Sequence, residues 1–143
     1  MYDRLGGLCP GKFLKMWVNA TTGKYNYPSD DGFVTVGGQI IDAKITLPSG
    51  LLIDRFGGEG GNYFSRKGDQ YAARALPPSN LNTPTAGPPN GYHVYKVIGA
   101  GVPGVLAGPA VPWFGQPGGS IQFYTSQNVS TLIKNGLLEP VKL

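Results

Sequence analysis

Glycine and proline interrupt this chain throughout: 23 glycines and 13 prolines make up about a quarter of its 143 residues. Such a frequency approaches that of low-complexity sequences. However, 41% of the residues are hydrophobic, and two Trp, eight Tyr and six Phe add large apolar side chains that offset the entropy of ordering the chain. The glycines and prolines are therefore predicted to separate the short elements of one loop-rich domain with a single, mostly β core.

Runs of β-branched and aromatic residues between these turns predict six short strands, at 33–36, 40–45, 51–55, 94–98, 102–106 and 121–125. Helices are predicted at 10–18, at 69–75, and from a cap at Asn128 or Ser130 to residue 135, before Gly136. Residues 77–90 are predicted to form one long surface loop. The pattern indicates an α+β fold: a compact β-rich single domain with a twisted central sheet, antiparallel or mixed, and a few short helices.

We predict one domain over 1–143, with an N-terminal capping segment at 1–31 and a catalytic core at 32–143. The 12 basic and eight acidic residues give a net charge of +4, which favours the approach of a small polyanion. No run of Lys or Arg suits a nucleic-acid backbone, and the apolar runs are too short for a membrane span. We therefore predict no nucleic-acid partner and no membrane span.

Several kinds of catalytic site are excluded by composition. Cys9 is the only cysteine, which rules out an intrachain disulfide and a cysteine-based zinc site. His93 is the only histidine, which rules out a two-histidine metal site or ribonuclease site. No Gly-x-Ser-x-Gly motif presents a nucleophilic serine, and the only glutamates, Glu59 and Glu139, do not suggest a glycosidase pair.

The remaining polar and aromatic groups suit a dinucleotide. Arg55 and Arg74 offer planar guanidinium groups to phosphate oxygens, and the surrounding glycines allow backbone to approach a ligand. Aromatic side chains that offer faces to flat rings are Phe56, Tyr63, Trp113 and Phe114. The glycine run at 57–61 lacks the spacing and the βαβ context of a Rossmann fingerprint.

A dinucleotide bound here is accordingly predicted to be a substrate. The bond between nicotinamide and ribose in oxidised NAD breaks without a general acid, because the pyridinium leaving group departs neutral. A protein then needs only to orient the ribose, stabilise an oxocarbenium-like transition state and admit water.

Five motifs, in order, resemble the tuberculosis necrotizing toxin family of NAD glycohydrolases. They are Asp-Arg-Phe-Gly at 54–57, Gly-Asn-Tyr at 61–63, Arg-Ala-Leu-Pro-Pro at 74–78, Tyr-His-Val-Tyr at 92–95, and Pro-Trp-Phe-Gly-Gln-Pro-Gly-Gly at 112–119 followed by Gln122. The resemblance covers roughly residues 32–138, and the N-terminal piece is more similar to the fungal surface NADases of this family than to its bacterial toxins.

The resemblance implies a β-rich fold distantly related to ADP-ribosyltransferases and cleavage of NAD+ or NADP+ to nicotinamide and ADP-ribose. It implies that Arg55 and Arg74 hold the phosphates, that Phe56 and Tyr63 border the nicotinamide, and that Gln122 is the central polar group at the scissile ribose. We expect no cofactor, since NAD(P)+ is the substrate. Fungal members carry a calcium-binding C-terminal extension, and for this chain we predict no metal site.

Further residues are predicted to bind the substrate: His93, Trp113, Phe114, Gly118 and Gly119. For each a structural role is the alternative, since His93 lies in a half-buried strand pattern and Trp113 and Phe114 suit a core plug beside a proline turn.

The alternative functions are ADP-ribosyl transfer or cyclisation, with Glu59 activating the acceptor, and a non-catalytic dinucleotide- or sugar-binding module. We expect secretion or a cell-surface location, although no signal peptide is present in the sequence. An immunity protein is expected if the chain is a toxin, and a homodimer is left open.

Overall fold

An antiparallel sheet forms most of the protein in the computed structural model, which describes residues 2–78 and 91–142. The described strands are β1 (Thr35–Val36), β2 (Gln39–Ile40), β3 (Ala43–Leu47), β4 (Leu52–Phe56), β5 (Tyr63–Arg66), β6 (Tyr92–Val97), β7 (Val102–Pro109), β8 (Ile121–Tyr124) and β9 (Leu138–Val141). The first two form a hairpin, and the others form one sheet in the order β3-β7-β8-β5-β4-β6-β9. Every pairing is antiparallel, and the predicted β-rich α+β class is confirmed.

The described helices are α1 (Pro10–Trp17) and α2 (Val129–Lys134). The apolar core lies on one face of the sheet, beneath α2. Successive strand residues point to opposite faces, so Ile53 and Phe64 face the core while their neighbours face the other way. Val129 and Leu132, both fully buried, dock α2 onto these residues. The opposite face of the central strands is thereby left to carry polar side chains.

The structure corrects two predicted elements and adds two strands. The predicted strand 40–45 is split into β2 and β3. Two strands, β5 and β9, were not predicted. The predicted helix 69–75 is only a 3-10 turn at Ala72–Arg74, because Ala75 takes a left-handed conformation (φ 51°) that ends it. The predicted loop 77–90 lies outside the described residues from residue 79 onwards.

Aromatic side chains hold the N-terminal segment against the turn at 113–116. Trp17 packs on Trp113 and Phe114, with ring centroids 5.2 and 5.7 Å apart. The indole Nε1 of Trp113 donates to the carbonyl of Asn26 at 2.6 Å, and the amide of Gln116 donates to the carbonyl of Asp3 at 2.6 Å. The chain from residue 3 to residue 27 is thus fixed beside the polar face of the sheet. In the described part of the chain, neither helix has the length or apolar character needed to cross a lipid bilayer.

Candidate active site

A cleft of about 330 Å³ opens on the polar face of the sheet, between the central strands and the N-terminal segment. This volume is within the range of small-molecule sites. The sheet supplies Asp54, Phe56, Ser65 and Gln122 to its floor. The opposite wall is a short segment at 27–32, here called the strap, of which Tyr27, Pro28, Asp31 and Gly32 line the cleft.

A buried ion pair forms part of the cleft floor. Arg74 and Asp54 are 6% and 0% exposed, and two hydrogen bonds of 2.5 and 3.0 Å join the guanidinium to the carboxylate. Arg74 also donates twice to the carbonyl of Asp69, at 3.0 and 2.6 Å, and its guanidinium lies 4.9 Å from the ring centre of Phe56. A buried charge requires an ion-pair or hydrogen-bond partner, because an unpaired buried charge carries a large desolvation penalty.

Asp54 is held from two further directions. The hydroxyl of Tyr92 donates to it at 2.6 Å, and the backbone N–H of Gly68 donates at 2.9 Å. Burial, followed by the hydrogen bond to Asp54, raises the pKa of Tyr92 to about 12, so this hydroxyl keeps its proton. Ser120 extends the network by donating to the carboxylate of Asp69 at 2.6 Å.

Arg55 follows Asp54 along β4, so its side chain leaves the strand on the opposite side, yet Arg55 is also among the residues that line the cleft. Its Nη1 donates to the carbonyl of Tyr63 at 2.7 Å, whereas its Nε is buried without a hydrogen-bond partner among the described residues. Burial lowers the pKa of Arg55. A guanidinium with an unsatisfied, desolvated N–H gains strongly from an anionic ligand.

Two glycines of the loop after β4 pack directly on this guanidinium. A Cβ at Gly57 would lie 2.8 Å from Nη2 of Arg55, and a Cβ at Gly61 would overlap three guanidinium atoms. Gly58 and Gly60 face open space. The glycines at 57–61 were predicted to let the backbone approach a ligand. Two of them, Gly57 and Gly61, instead let the backbone approach the Arg55 side chain.

Gln122 lies on β8 at the cleft and reaches across to the strap. Its Nε2 donates to the carbonyl of Asp31 at 2.8 Å, which orients the amide. Its Oε1 has no hydrogen-bond partner among the described residues and is left as an acceptor. Gly32 beside this amide has a φ of 79°, a backbone conformation that favours glycine, and a Cβ there would be in ordinary van der Waals contact with the Gln122 amide at 3.5–3.6 Å.

Aromatic side chains surround this polar centre. Phe56, Tyr63 and Phe114 line the cleft as predicted neighbours of a flat ring. Tyr63 is 38% exposed and packs on Tyr124 with ring centroids 5.0 Å apart. Burial, followed by the negative charge of Asp31, raises the pKa of Tyr63 to about 12.

Four other residues predicted to bind substrate do not line the cleft in the described part of the chain: His93, Trp113, Gly118 and Gly119. His93 donates from Nδ1 to the carbonyl of Gly91 at 2.8 Å and stacks on Tyr95. Trp113 is engaged with the N-terminal segment. Gly118 packs against the backbone of residues 110–112, where a Cβ would come within 2.6–2.9 Å. The geometry gives these residues local structural contacts, and their substrate-binding roles stay predictions.

Sequence reasoning missed several residues of the cleft, and three of them bear on its chemistry. Tyr27 and Asp31 belong to the segment interpreted as a cap, far from the other motifs along the chain. Asp54 entered the sequence analysis only as the first residue of the 54–57 motif, although its alternation with Arg55 along a strand indicates that the two side chains leave β4 on opposite sides. Within residues 2–78 and 91–142, no three His, Cys, Asp or Glu side chains cluster as ligands for a metal ion.

The chain matches a family model, a curated protein and a solved structure. The model of the family described as Tuberculosis necrotizing toxin matches residues 46–141. The conidial surface nicotinamide adenine dinucleotide glycohydrolase of Aspergillus fumigatus is 46% identical over 140 residues, which cover 96% of this chain and 59% of that protein. The chain thus spans less than two thirds of the length of this curated relative.

A solved structure shares the fold. Tuberculosis necrotizing toxin, in complex with its immunity factor, superimposes with a TM-score of 0.72 over 92% of this chain and 71% of that one. The two sequences are 24% identical, so this similarity concerns the fold alone.

Proposed function

This chain belongs to the tuberculosis necrotizing toxin family, and from that membership we propose that it hydrolyses NAD+ or NADP+ to nicotinamide and ADP-ribose. The observation that supports this most directly is the cleft around Gln122. It combines a fixed amide with a free acceptor oxygen, aromatic walls and two neighbouring arginines. The A. fumigatus relative is named as an NAD glycohydrolase.

The proposed reaction needs no acid at the leaving group. The bond between C1′ of the ribose and the nicotinamide nitrogen breaks, its electron pair goes to the nitrogen, and neutral nicotinamide leaves. Water then forms a bond to C1′ and gives up a proton. Gln122 accepts a hydrogen bond from a ribose hydroxyl and orients the sugar, while Phe56 and Tyr63 border the nicotinamide ring.

The two arginines take different parts in this proposal. Arg55 binds the pyrophosphate, because its Nε is desolvated and lacks a partner in the described part of the chain. Arg74 is already neutralised by Asp54, so it contributes a rigid, partly charged floor beneath Phe56.

Water is favoured as the acceptor over a protein side chain. Glu59, the residue considered for acceptor activation, lies outside the described cleft lining and accepts a 3.4 Å hydrogen bond from Tyr95. The cleft opens to solvent between the strap and the sheet.

The test is product analysis with purified protein and NAD+. Wild type is expected to release nicotinamide and ADP-ribose in equal amounts. Gln122→Ala is expected to lower kcat by about 10²-fold or more, in the range for loss of a transition-state hydrogen bond. Arg55→Ala is expected mainly to raise KM. Gln127→Ala, an exposed position three residues beyond β8, is the matched control and is expected to retain wild-type rates.

Two results would contradict the proposal. Intact NAD+ after incubation with folded wild type excludes the hydrolase. Label transferred from NAD+ to protein, or cyclic ADP-ribose as the main product, replaces hydrolysis by the transferase or cyclase alternative.

We propose a location and a partner for this chain by analogy with its relatives. The A. fumigatus protein is a conidial surface enzyme, and we extend a secreted or surface location to this chain. The toxin of matching fold binds an immunity factor, and an immunity protein for this chain belongs to the same proposal.

A further inference from the structure

The strap lies outside the part of the chain that the family model matches, yet it forms one wall of the cleft. The match begins at residue 46, whereas the strap spans residues 27–32. The strap is fixed at both ends, since Tyr27 packs on Phe114 and the carbonyl of Gly32 accepts from the backbone of Val111 at 2.8 Å. A rigid wall of this kind holds any group that it carries in one place.

Backbone conformation in the strap is unusual at the residues that face the cleft. Asp30, Asp31 and Gly32 have φ values of 55°, 54° and 79°, three successive residues in the left-handed region. Non-glycine residues rarely adopt this conformation, and it concentrates at functional sites. The turn directs Asp31 into the cleft, while Asp30 is not among the lining residues.

Asp31 adjoins Gln122, the group proposed to orient the ribose. Its carbonyl accepts the hydrogen bond from Gln122. Its negative charge also acts on Tyr63, where it helps to raise the pKa of that hydroxyl. Asp31 therefore brings a negative charge to the part of the cleft that Gln122 and Tyr63 line.

The other acidic side chain of the described lining is already committed. Asp54 is 0% exposed and accepts hydrogen bonds from Arg74, Tyr92 and the backbone of Gly68. Within the described lining, Asp31 is therefore the carboxylate available to a substrate.

We propose that Asp31 is a catalytic residue of NAD+ cleavage, supplied by the strap in addition to the groups of the family match. This inference rests on the proposed function. The negative charge of Asp31 stabilises the positive charge that develops on C1′ and the ring oxygen as the bond to nicotinamide breaks. As water bonds to C1′, Asp31 accepts its proton, and it later releases that proton to solvent.

The experiment compares two adjacent aspartates that have the same backbone conformation. Asp31→Asn removes the charge but keeps the shape, the left-handed preference, and the carbonyl that holds Gln122. Asp30→Asn removes the same charge outside the cleft. We expect Asp31→Asn to lower kcat for NAD+ by about 10²-fold, the usual contribution of general base catalysis, with little change in KM. Asp30→Asn is expected to retain the wild-type kcat.

Each other result overturns the inference in a distinct way. Equal kcat for the two variants shows that the charge of Asp31 is not used, while the proposed function stands. A raised KM with unchanged kcat makes Asp31 a binding group only. If folded wild type leaves NAD+ intact, both the proposed function and the inference about Asp31 are overturned.

Folding is checked by thermal unfolding of both variants. If Asp31→Asn does not fold, Asp31→Gly and Asp30→Gly decide by the same comparison, because glycine adopts positive φ without strain.

Discussion

At the scale of single residues, the two arginines of the site differ in what surrounds them. Arg74 is saturated by carboxylate and carbonyl acceptors, whereas Arg55 is enclosed by backbone and keeps an unsatisfied Nε among the described residues. The position of the Arg55 guanidinium therefore depends on the absence of side chains at Gly57 and Gly61.

Gly61→Ala tests this dependence. The added methyl overlaps the guanidinium, and the flexible arginine side chain must move away from its bond to Tyr63. A hydrogen bond to a charged group is worth about 1.5–3 kcal/mol. We expect KM for NAD+ to rise by about tenfold or more. Steady-state kinetics would measure this.

Gly60→Ala is the matched control, since a methyl at Gly60 meets nothing within 4 Å. Equal KM values for the two variants would show that the glycine does not position Arg55.

The sequence motifs located part of the cleft lining, whereas the roles assigned to those residues stay predictions. The motifs led to Arg55, Phe56, Tyr63, Arg74, Phe114 and Gln122, all of which line the cleft. Asp31 was missed because its contact with Gln122 joins residues 91 positions apart. A contact of that separation is created by the sheet order and leaves no trace in local spacing.

At the scale of elements, local signals predicted the ends of α1 and α2 well but missed the strands β5 and β9. β9 contains Pro140, which weakens any strand prediction, yet β9 is the last strand of the sheet, where proline is tolerated. The helix predicted at 69–75 was wrong in length because the inward-facing Arg74 and the left-handed Ala75 meet tertiary demands that helix propensity does not describe.

The N-cap of α2 gives a test at this scale. The Asn128 side chain accepts from the backbone N–H of Thr131 at 2.9 Å, which satisfies one of the free donors at the helix start. Asn128→Ala is expected to reduce the free energy of unfolding by about 1 kcal/mol. Urea denaturation would measure the loss.

Ser130 was the other candidate cap, and Ser130→Ala serves as the control. It is expected to change stability by less than about 0.5 kcal/mol, as exposed substitutions usually do. Both substitutions remove the same Asn-Val-Ser glycosylation triplet, so their difference reports the cap. A larger loss of stability for Ser130→Ala than for Asn128→Ala would show that Asn128 is not the N-cap.

At the scale of the whole molecule, tyrosines with raised pKa values couple stability to alkaline pH. Burial raises the pKa of Tyr63, Tyr92 and Tyr95 to about 12, from 10.0 in an unperturbed tyrosine. The unfolded chain therefore loses these protons first. Their contribution to stability is fully present below pH 10 and is lost as the pH rises from 10 to about 12.

We expect the free energy of unfolding to fall across that interval, as measured by urea denaturation at stepped pH. Tyr95→Phe, which removes one titrating hydroxyl, should make the decline shallower. A flat profile between pH 10 and 12 would show that these hydroxyls titrate alike in the folded and unfolded chains.

The position of β8 in the sheet has a consequence for how the protein is made. β8 joins the β3-β7 pair to β5, β4 and β6, and all of these other strands precede it in the chain. During translation, the two halves of the sheet therefore cannot be joined by β8 until residues 121–124 leave the ribosome. The strand that completes the sheet also carries Gln122, so under the proposed function a nascent chain shorter than this would leave the nucleotide pool of the cell that synthesises it intact.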